Sequence, residues 1–260
     1  MMNNISPQAY VDPKAKIGNN VTIYPFAYIE GDVEIGDDCV IYPYVSIMNG
    51  TRLGRGNKVY QNTVLGAEPQ DFNYKGEITT LEIGDENIIR ENVVINRATY
   101  ATGKTHIGNR NFLMEGVHIS HDTDVHDYCV FGYGTKIAGD CEIHSGIIFS
   151  SGVIVNAQVR VGTAAMVTSG CRVSKDVPPF IVATDNPVRY AGLNQEMLRS
   201  HGISDKVLNH LANAYRLVFH GQTSVFDAAF QIKEQVPDGS AVRNVVNFIQ
   251  STKLGIIGKL

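Results

Sequence analysis

Lys16-Ile17-Gly18-Asn19-Asn20-Val21-Thr22-Ile23-Tyr24-Pro25-Phe26-Ala27-Tyr28-Ile29 places an isoleucine at every sixth position. The beat extends backward to Val11 and Ile5, and forward through Ile35, Ile41, Ile47, Leu53, Val59 and Leu65. It resumes at Ile83, Ile89 and Ile95, then runs from Ile107 through Leu113, Ile119, Val125, Phe131, Ile137, Ile143, Phe149, Val155, Val161 and Val167 to Val173. Only Asp71, Glu77 and Ala101 break the series, in two stretches that read as loops. A period of six is neither the 3.6 of a helix nor the 2 of a half-buried strand. It is the signature of a parallel β-helix built from hexapeptide repeats, each a short strand plus a corner.

Other positions in the hexad fit that geometry. Four residues after each aliphatic side chain stands a slim one, as at Ala15, Val21, Ala27, Val33, Cys39, Val45 and Thr51, which can point inward without overfilling the core. Gly18, Gly36 and Gly54 recur at intervals of three hexads, so three hexads form a coil, and glycine there suits a corner with an unusual backbone angle. Coils stack at strand spacing, about 4.8 Å. Residues eighteen apart then become vertical neighbours, with Phe131 under Phe149.

The chain has 260 residues, 43% of them hydrophobic, and a net charge of −4. It can bury a large core, and the acidic balance argues against nucleic acid as the main partner. No apolar run reaches the roughly 20 residues of a membrane span. Met1-Met2-Asn3-Asn4 has no basic or apolar signal character, so a cytoplasmic setting is expected. Cys39, Cys129, Cys141 and Cys171 all occupy the slim inward position, so small buried hydrophobes are expected rather than disulfides or metal ligands.

Near Asp176-Val177-Pro178-Pro179 the six-beat stops and helical spacing takes over. Residues 1–187 read as the repeat domain and 188–260 as a helical domain capping the open end of the β-helix. Ser204 is an N-cap for a helix carrying Val207, Leu208, Leu211, Tyr215 and Leu217. A second helix starts near Ser224, and a third carries Val242, Val245, Val246 and Ile249.

Two insertions interrupt the repeat, residues 67–80 and 97–104. The first mixes polar and aromatic residues, and long loops on a rigid scaffold frequently bind ligand; the second reads as a corner loop. The chemistry points to Gly116-Val117-His118-Ile119-Ser120-His121-Asp122, where His118 and His121 flank a core isoleucine on surface-facing positions. An imidazole is the usual general base for a hydroxyl proton, and Asp122 is next in the chain to hold it. Gly139 lies eighteen residues above His121 and Gly103 eighteen below. A glycine above the base leaves room for substrate and an accessible amide for an oxyanion.

With these residues in hand, the chain resembles the UDP-N-acetylglucosamine 3-O-acyltransferases that begin lipid A biosynthesis in Gram-negative bacteria. The matching segments are Gln70-Asp71-Phe72-Asn73-Tyr74, Ile83-Gly84-Asp85, Ile88-Ile89-Arg90-Glu91, Met114 through Asp122, Ala138-Gly139, Asp176-Val177-Pro178-Pro179 and Gly192-Leu193-Asn194-Gln195-Glu196. The resemblance implies a mainly β fold, a left-handed parallel β-helix with a C-terminal α-helical domain. It implies a homotrimer with active sites between subunits. His121, oriented by Asp122, would take the proton of the sugar 3-hydroxyl, whose oxygen attacks the thioester of a 3-hydroxyacyl chain on acyl carrier protein. The Gly139 amide would hold the oxyanion, and no metal or organic cofactor is required. Gln70, Asp71 and His118 match substrate-site positions, and Asn194 and Glu196 match nucleotide-side contacts.

The chain departs from the family pattern at several of these places. Asn73 stands where better-known members carry lysine, Asp140 and Asn156 replace histidines, and Ser200 and His201 replace paired arginines. Ser169 occupies the position that floors the acyl pocket in relatives. These departures leave the reaction type in place and bear on recognition, including whether the acceptor carries oxygen or nitrogen at C3. Other readings stay open at this point. A zinc carbonic anhydrase on this fold would use His121 and His126 with a third histidine near 85 or 90, where Asp85 and Arg90 stand. A coenzyme A-dependent sugar acetyltransferase would not need the helical tail, and a non-catalytic scaffold would leave His121 and the first insertion unexplained.

Overall fold

The computed structural model describes residues 2–221 and 223–259; Met1 of the amino-terminal stretch and Leu260 lie outside the described residues. Strands mostly two residues long form three parallel sheets, the faces of a triangular prism. Ile23, Ile41 and Val59 belong to the first face, Ile29, Ile47 and Leu65 to the second, and Ile35, Leu53 and Ile83 to the third. We call the turn from first to second face corner I, second to third corner II, and third to first corner III. The periodic side chains point inward and are buried from Ile23 to Val173, each fully buried aliphatic contributing about 1.5–3 kcal/mol. Phe131 and Phe149 stack across adjacent coils with centroids 5.3 Å apart. All four cysteines are buried free thiols, and burial pushes Cys39 up to about 11 and Cys129 and Cys141 to about 12.

Two details differ from the sequence reading. Gly18, Gly36 and Gly54 do not adopt the left-handed conformation; that falls two residues later, at Asn20, Asp38 and Gly56. Glycine is required at Gly18 by the next coil, because a Cβ there would come within 2.8 Å of the Gly36 carbonyl carbon. The interval of eighteen also fails where the chain carries its insertions. Leu65 pairs with Ile95 and Ile95 with Ile119, intervals of 30 and 24. At this corner, counting from the second face sets Arg97 level with His121, whereas counting from the third face, where His106 pairs with Asp124 at the ordinary interval of 18, sets Gly103 there.

The last coils are closed by added structure. Ile181–Thr184 extends the first face, Arg189–Leu193 pairs with it antiparallel, and Gly258–Lys259 pairs with Arg189–Tyr190. Four helices follow the hairpin: α1 (Gln195–Ser200), α2 (Asp205–His220), α3 (Val225–Gln235) and α4 (Ser240–Gln250). Ser204 and Ser224 cap α2 and α3 through their hydroxyls, as their sequence positions predict. The hairpin and α1 carry no such signal. Arg160 of the third face joins the prism to α4, donating to the Phe248 and Ser251 carbonyls with its guanidinium 4.2 Å over the Phe248 ring.

Candidate active site

Both insertions leave the prism at corner II, on successive coils, and the next two coils carry His121 and Gly139 at the same corner. Asp122 follows His121 in the left-handed conformation, φ 56°, which a short polar side chain tolerates. His121 Nδ1 lies 2.9 Å from Asp122 Oδ2. An ionised carboxylate only accepts, so in the neutral ring Nδ1 carries the proton and Nε2 keeps its lone pair. Asp122 is itself held: the Thr99 amide donates to its carboxylate at 3.1 Å, and its own N–H donates to Thr105 Oγ1 at 2.9 Å. Gly103 also backs it, since a Cβ there would sit 3.4 Å from Asp122 Oδ1.

On its other side His121 Nε2 faces Asp71 of the first insertion, with Oδ2 3.9 Å away, beyond direct hydrogen bonding. The ring is only 12% exposed, more enclosed than the surface position expected from sequence. The space above it is not open either: a Cβ at Gly139 would lie 2.8 Å from Nε2 and 2.9 Å from Nδ1, so glycine there makes room for the imidazole itself. Among the described residues the Gly139 N–H makes no hydrogen bond. Asp140 stands on the same coil, and its carboxyl is held above the usual range by burial and by the carboxylates of Asp122 and Asp71. His118, outward on the second face, has its pKa lowered by burial and by the neighbouring Lys136.

Gln70 and Asn73 are exposed on the first insertion, and the Asn73 N–H donates to Asp71 Oδ1. Asn156 follows a second-face strand one coil beyond Gly139 and accepts from Arg172. The remaining expected residues lie elsewhere on this chain. Ser169 is exposed at corner I. Asn194 donates to the Ala164 carbonyl at corner III, beside a cavity of about 880 Å³ lined by Val130, Ile148, Phe180, Met197, Glu196 and His201. One chain thus separates the expected site into a corner II half and a corner III half. His126 begins corner III, away from His121, and among the described residues no three histidine, cysteine or acidic side chains converge in a way that could hold a metal ion. Sequence reasoning missed Arg97, Thr99 and Thr105.

Stacked coils of three six-residue repeats, carrying a histidine–aspartate pair at a corner, define the chain as a hexapeptide-repeat transferase, and a family model described as bacterial transferase hexapeptide (six repeats) matches residues 14–47, 32–67 and 104–139. A second model, UDP N-acetylglucosamine O-acyltransferase domain 2, matches residues 176–257. The acyl-[acyl-carrier-protein]--UDP-N-acetylglucosamine O-acyltransferase of Halorhodospira halophila is 40% identical over 257 residues, covering 98% of this chain and 100% of its own. That of Syntrophobacter fumaroxidans is 39% identical, covering 97% of this chain and 99% of its own. Among solved structures, LpxA of Bacteroides fragilis, a UDP-N-acetylglucosamine acyltransferase, matches with a TM-score of 0.95 at 44% identity, covering 97% of this chain and 99% of that one. LpxA of Acinetobacter baumannii gives 0.95 at 31% identity, with the same coverage of both chains. The chain belongs to the UDP-N-acetylglucosamine O-acyltransferase family. Its fold is a left-handed parallel β-helix with a helical C-terminal region.

Proposed function

We propose that this chain transfers a 3-hydroxyacyl group from acyl carrier protein to the 3-hydroxyl of UDP-N-acetylglucosamine, the first step of lipid A biosynthesis, with His121 as general base. The observation that carries this reading is the His121–Asp122 pair, which leaves the Nε2 lone pair on the side that faces Asp71. The sugar hydroxyl gives its proton to Nε2 as its oxygen attacks the thioester carbonyl carbon. The Gly139 N–H donates to the resulting oxyanion. Collapse breaks the carbon–sulfur bond, and the leaving thiolate takes the proton from the imidazolium, so the enzyme ends as it began. Asp122, Asp71 and Asp140 surround the transient positive charge. The thioester already supplies an activated acyl group, and no cofactor enters the scheme.

The working unit of this reading is a homotrimer in the cytoplasm. Outward residues of the third face form a charged ladder from Lys16, Glu34 and Arg52 through Glu82, His106 and Asp124 to Glu142 and Arg160. Outward residues of the first face are apolar over five consecutive coils, Ile88, Phe112, Val130, Ile148 and Met166. Stacked Tyr24–Tyr42–Tyr60 and Phe26–Tyr44 line corner I on the three coils that precede it. Such a patch favours burial against another copy. A neighbour's corner III would then bring Asn194, Glu196 and His201 to the nucleotide side of corner II, with Gln70, Asn73, His118 and Asn156 on the substrate and Ser169 at the acyl end. No described helix is long and apolar enough to cross a membrane. In this reading residues 1–187 form the repeat domain and residues 188–260 form the helical domain.

Steady-state kinetics on His121→Ala and Asp122→Asn test the reading. Loss of the base is expected to cost about 10²–10⁴-fold in kcat, with the fold and trimer retained. Turnover of His121→Ala near the native rate would end it.

A further inference from the structure

The two insertions at corner II are joined by one side chain. Arg97 opens the second insertion, and its guanidinium is 14% exposed. Nη1 donates to the Gly66 carbonyl at 3.0 Å, at the root of the first insertion. Nη2 donates to Tyr74 Oη at 2.8 Å and meets Glu68 Oε1 at 3.2 Å, both within that insertion. The Arg97 N–H donates to the Ala67 carbonyl, and Asn96 Nδ2 donates to the Glu68 carbonyl. Tyr74 in turn donates its N–H to the Asp71 carbonyl. Two residues beyond Arg97, the Thr99 amide grips Asp122. Asp71 on one side of His121, and the Thr99 amide that holds Asp122 on the other, therefore stand on loops fastened together at Arg97.

We infer that Arg97 is a positioning residue: by tying the insertions together it holds Asp71 at its place opposite Nε2, and it acts on the reaction through Asp71. This rests on the reading of His121 as the base. A guanidinium suits the task because its planar fork reaches several acceptors in fixed directions, where a lysine offers a single point charge. A displacement of about 1 Å at a reacting centre can cost on the order of 10²-fold in rate.

The test is a kinetic cycle on the intact enzyme with UDP-N-acetylglucosamine and a 3-hydroxyacyl carrier protein. Arg97→Met keeps the apolar stem and removes the fork; it is expected to lower kcat/KM by roughly 10–100-fold. Arg97→Lys should recover only a small part of the loss. In an Asp71→Asn background Arg97→Met should have little further effect, since residues acting through one another are non-additive; a purely structural role would give the same loss in both backgrounds. Tyr74→Phe, which removes one acceptor and no charge, serves where Arg97→Met does not fold, and its smaller loss should likewise vanish beside Asp71→Asn. Independent, multiplying losses overturn the proposal, as does an Arg97→Met enzyme within twofold of native or an Asp71→Asn enzyme with full activity. Failure of the base reading shows separately, as full turnover by His121→Ala.

Discussion

A side chain at Gly139 and the imidazole of His121 would occupy the same space, since an added Cβ would lie 2.8 Å from Nε2. Gly139 does not adopt a left-handed backbone, so alanine is excluded there by the ring alone. Gly139→Ala is expected to push the imidazole off Asp122 and lower kcat by roughly 10²-fold, while the melting temperature changes little. A fully active Gly139→Ala enzyme would show that the ring position is not needed for turnover.

The two halves of the proposed site stand at different corners of one chain, which makes complementation a test of the proposed trimer. Mixing unfolded His121→Ala and Asn194→Ala chains and refolding them together should restore activity absent from either alone. With random assembly about a quarter of the sites in a closed symmetric ring would receive both native halves. No recovery, in mixed trimers verified by mass, would mean that each chain supplies its own complete site.

Asp140 gives a stability that depends on pH. Burial and the carboxylates of Asp122 and Asp71 raise its folded-state pKa above the unfolded value. The native state therefore binds this proton more tightly than the unfolded chain, and stability falls as pH rises from about 3.9, the ordinary aspartate value, through the folded-state value. Asp140→Asn should raise the melting temperature at pH 7, and the gain should shrink toward pH 4. The residue is solvent-accessible and its carboxyl only partly shielded, so the change in melting temperature is expected to be small. An equal shift at both pH values would remove the electrostatic explanation.

In the proposed reading Ser169 sets acyl chain length. It is exposed at corner I of the isolated chain, and in that reading it meets the acyl group within the trimer. Ser169→Met should shift preference to shorter acyl chains, each excluded methylene forfeiting about 0.8 kcal/mol of burial. An unchanged length profile would place the pocket floor elsewhere.

The six-residue beat makes the prism legible in the sequence, because every repeat strand depends on the same inward aliphatic position. Ser204 and Ser224 were legible for a local reason, their hydroxyls capping the helices that follow. The Ile181–Thr184 hairpin and α1 were not, because they depend on distant partners such as the Ala164 carbonyl that Asn194 meets. The site divides in the same way. His121, Asp122 and Gly139 could be read from hexad register. Arg97 and Thr99 could not, because the second insertion changes the second-face interval from 18 to 24 and brings together residues that simple counting keeps apart; Thr105 lies on the ordinary register of the third face, but its hydroxyl contact to Asp122 leaves no mark in the hexad pattern.

Mass spectrometry of the product tests the central claim most directly. Purified enzyme would receive UDP-N-acetylglucosamine and a panel of 3-hydroxyacyl carrier proteins, with His121→Ala run in parallel. The account predicts a single acyl group in a base-labile ester at the sugar 3-oxygen, formed by the native enzyme and nearly absent with the variant. Acyl transfer only to an amino acceptor, or an equal yield of ester from His121→Ala, would contradict it.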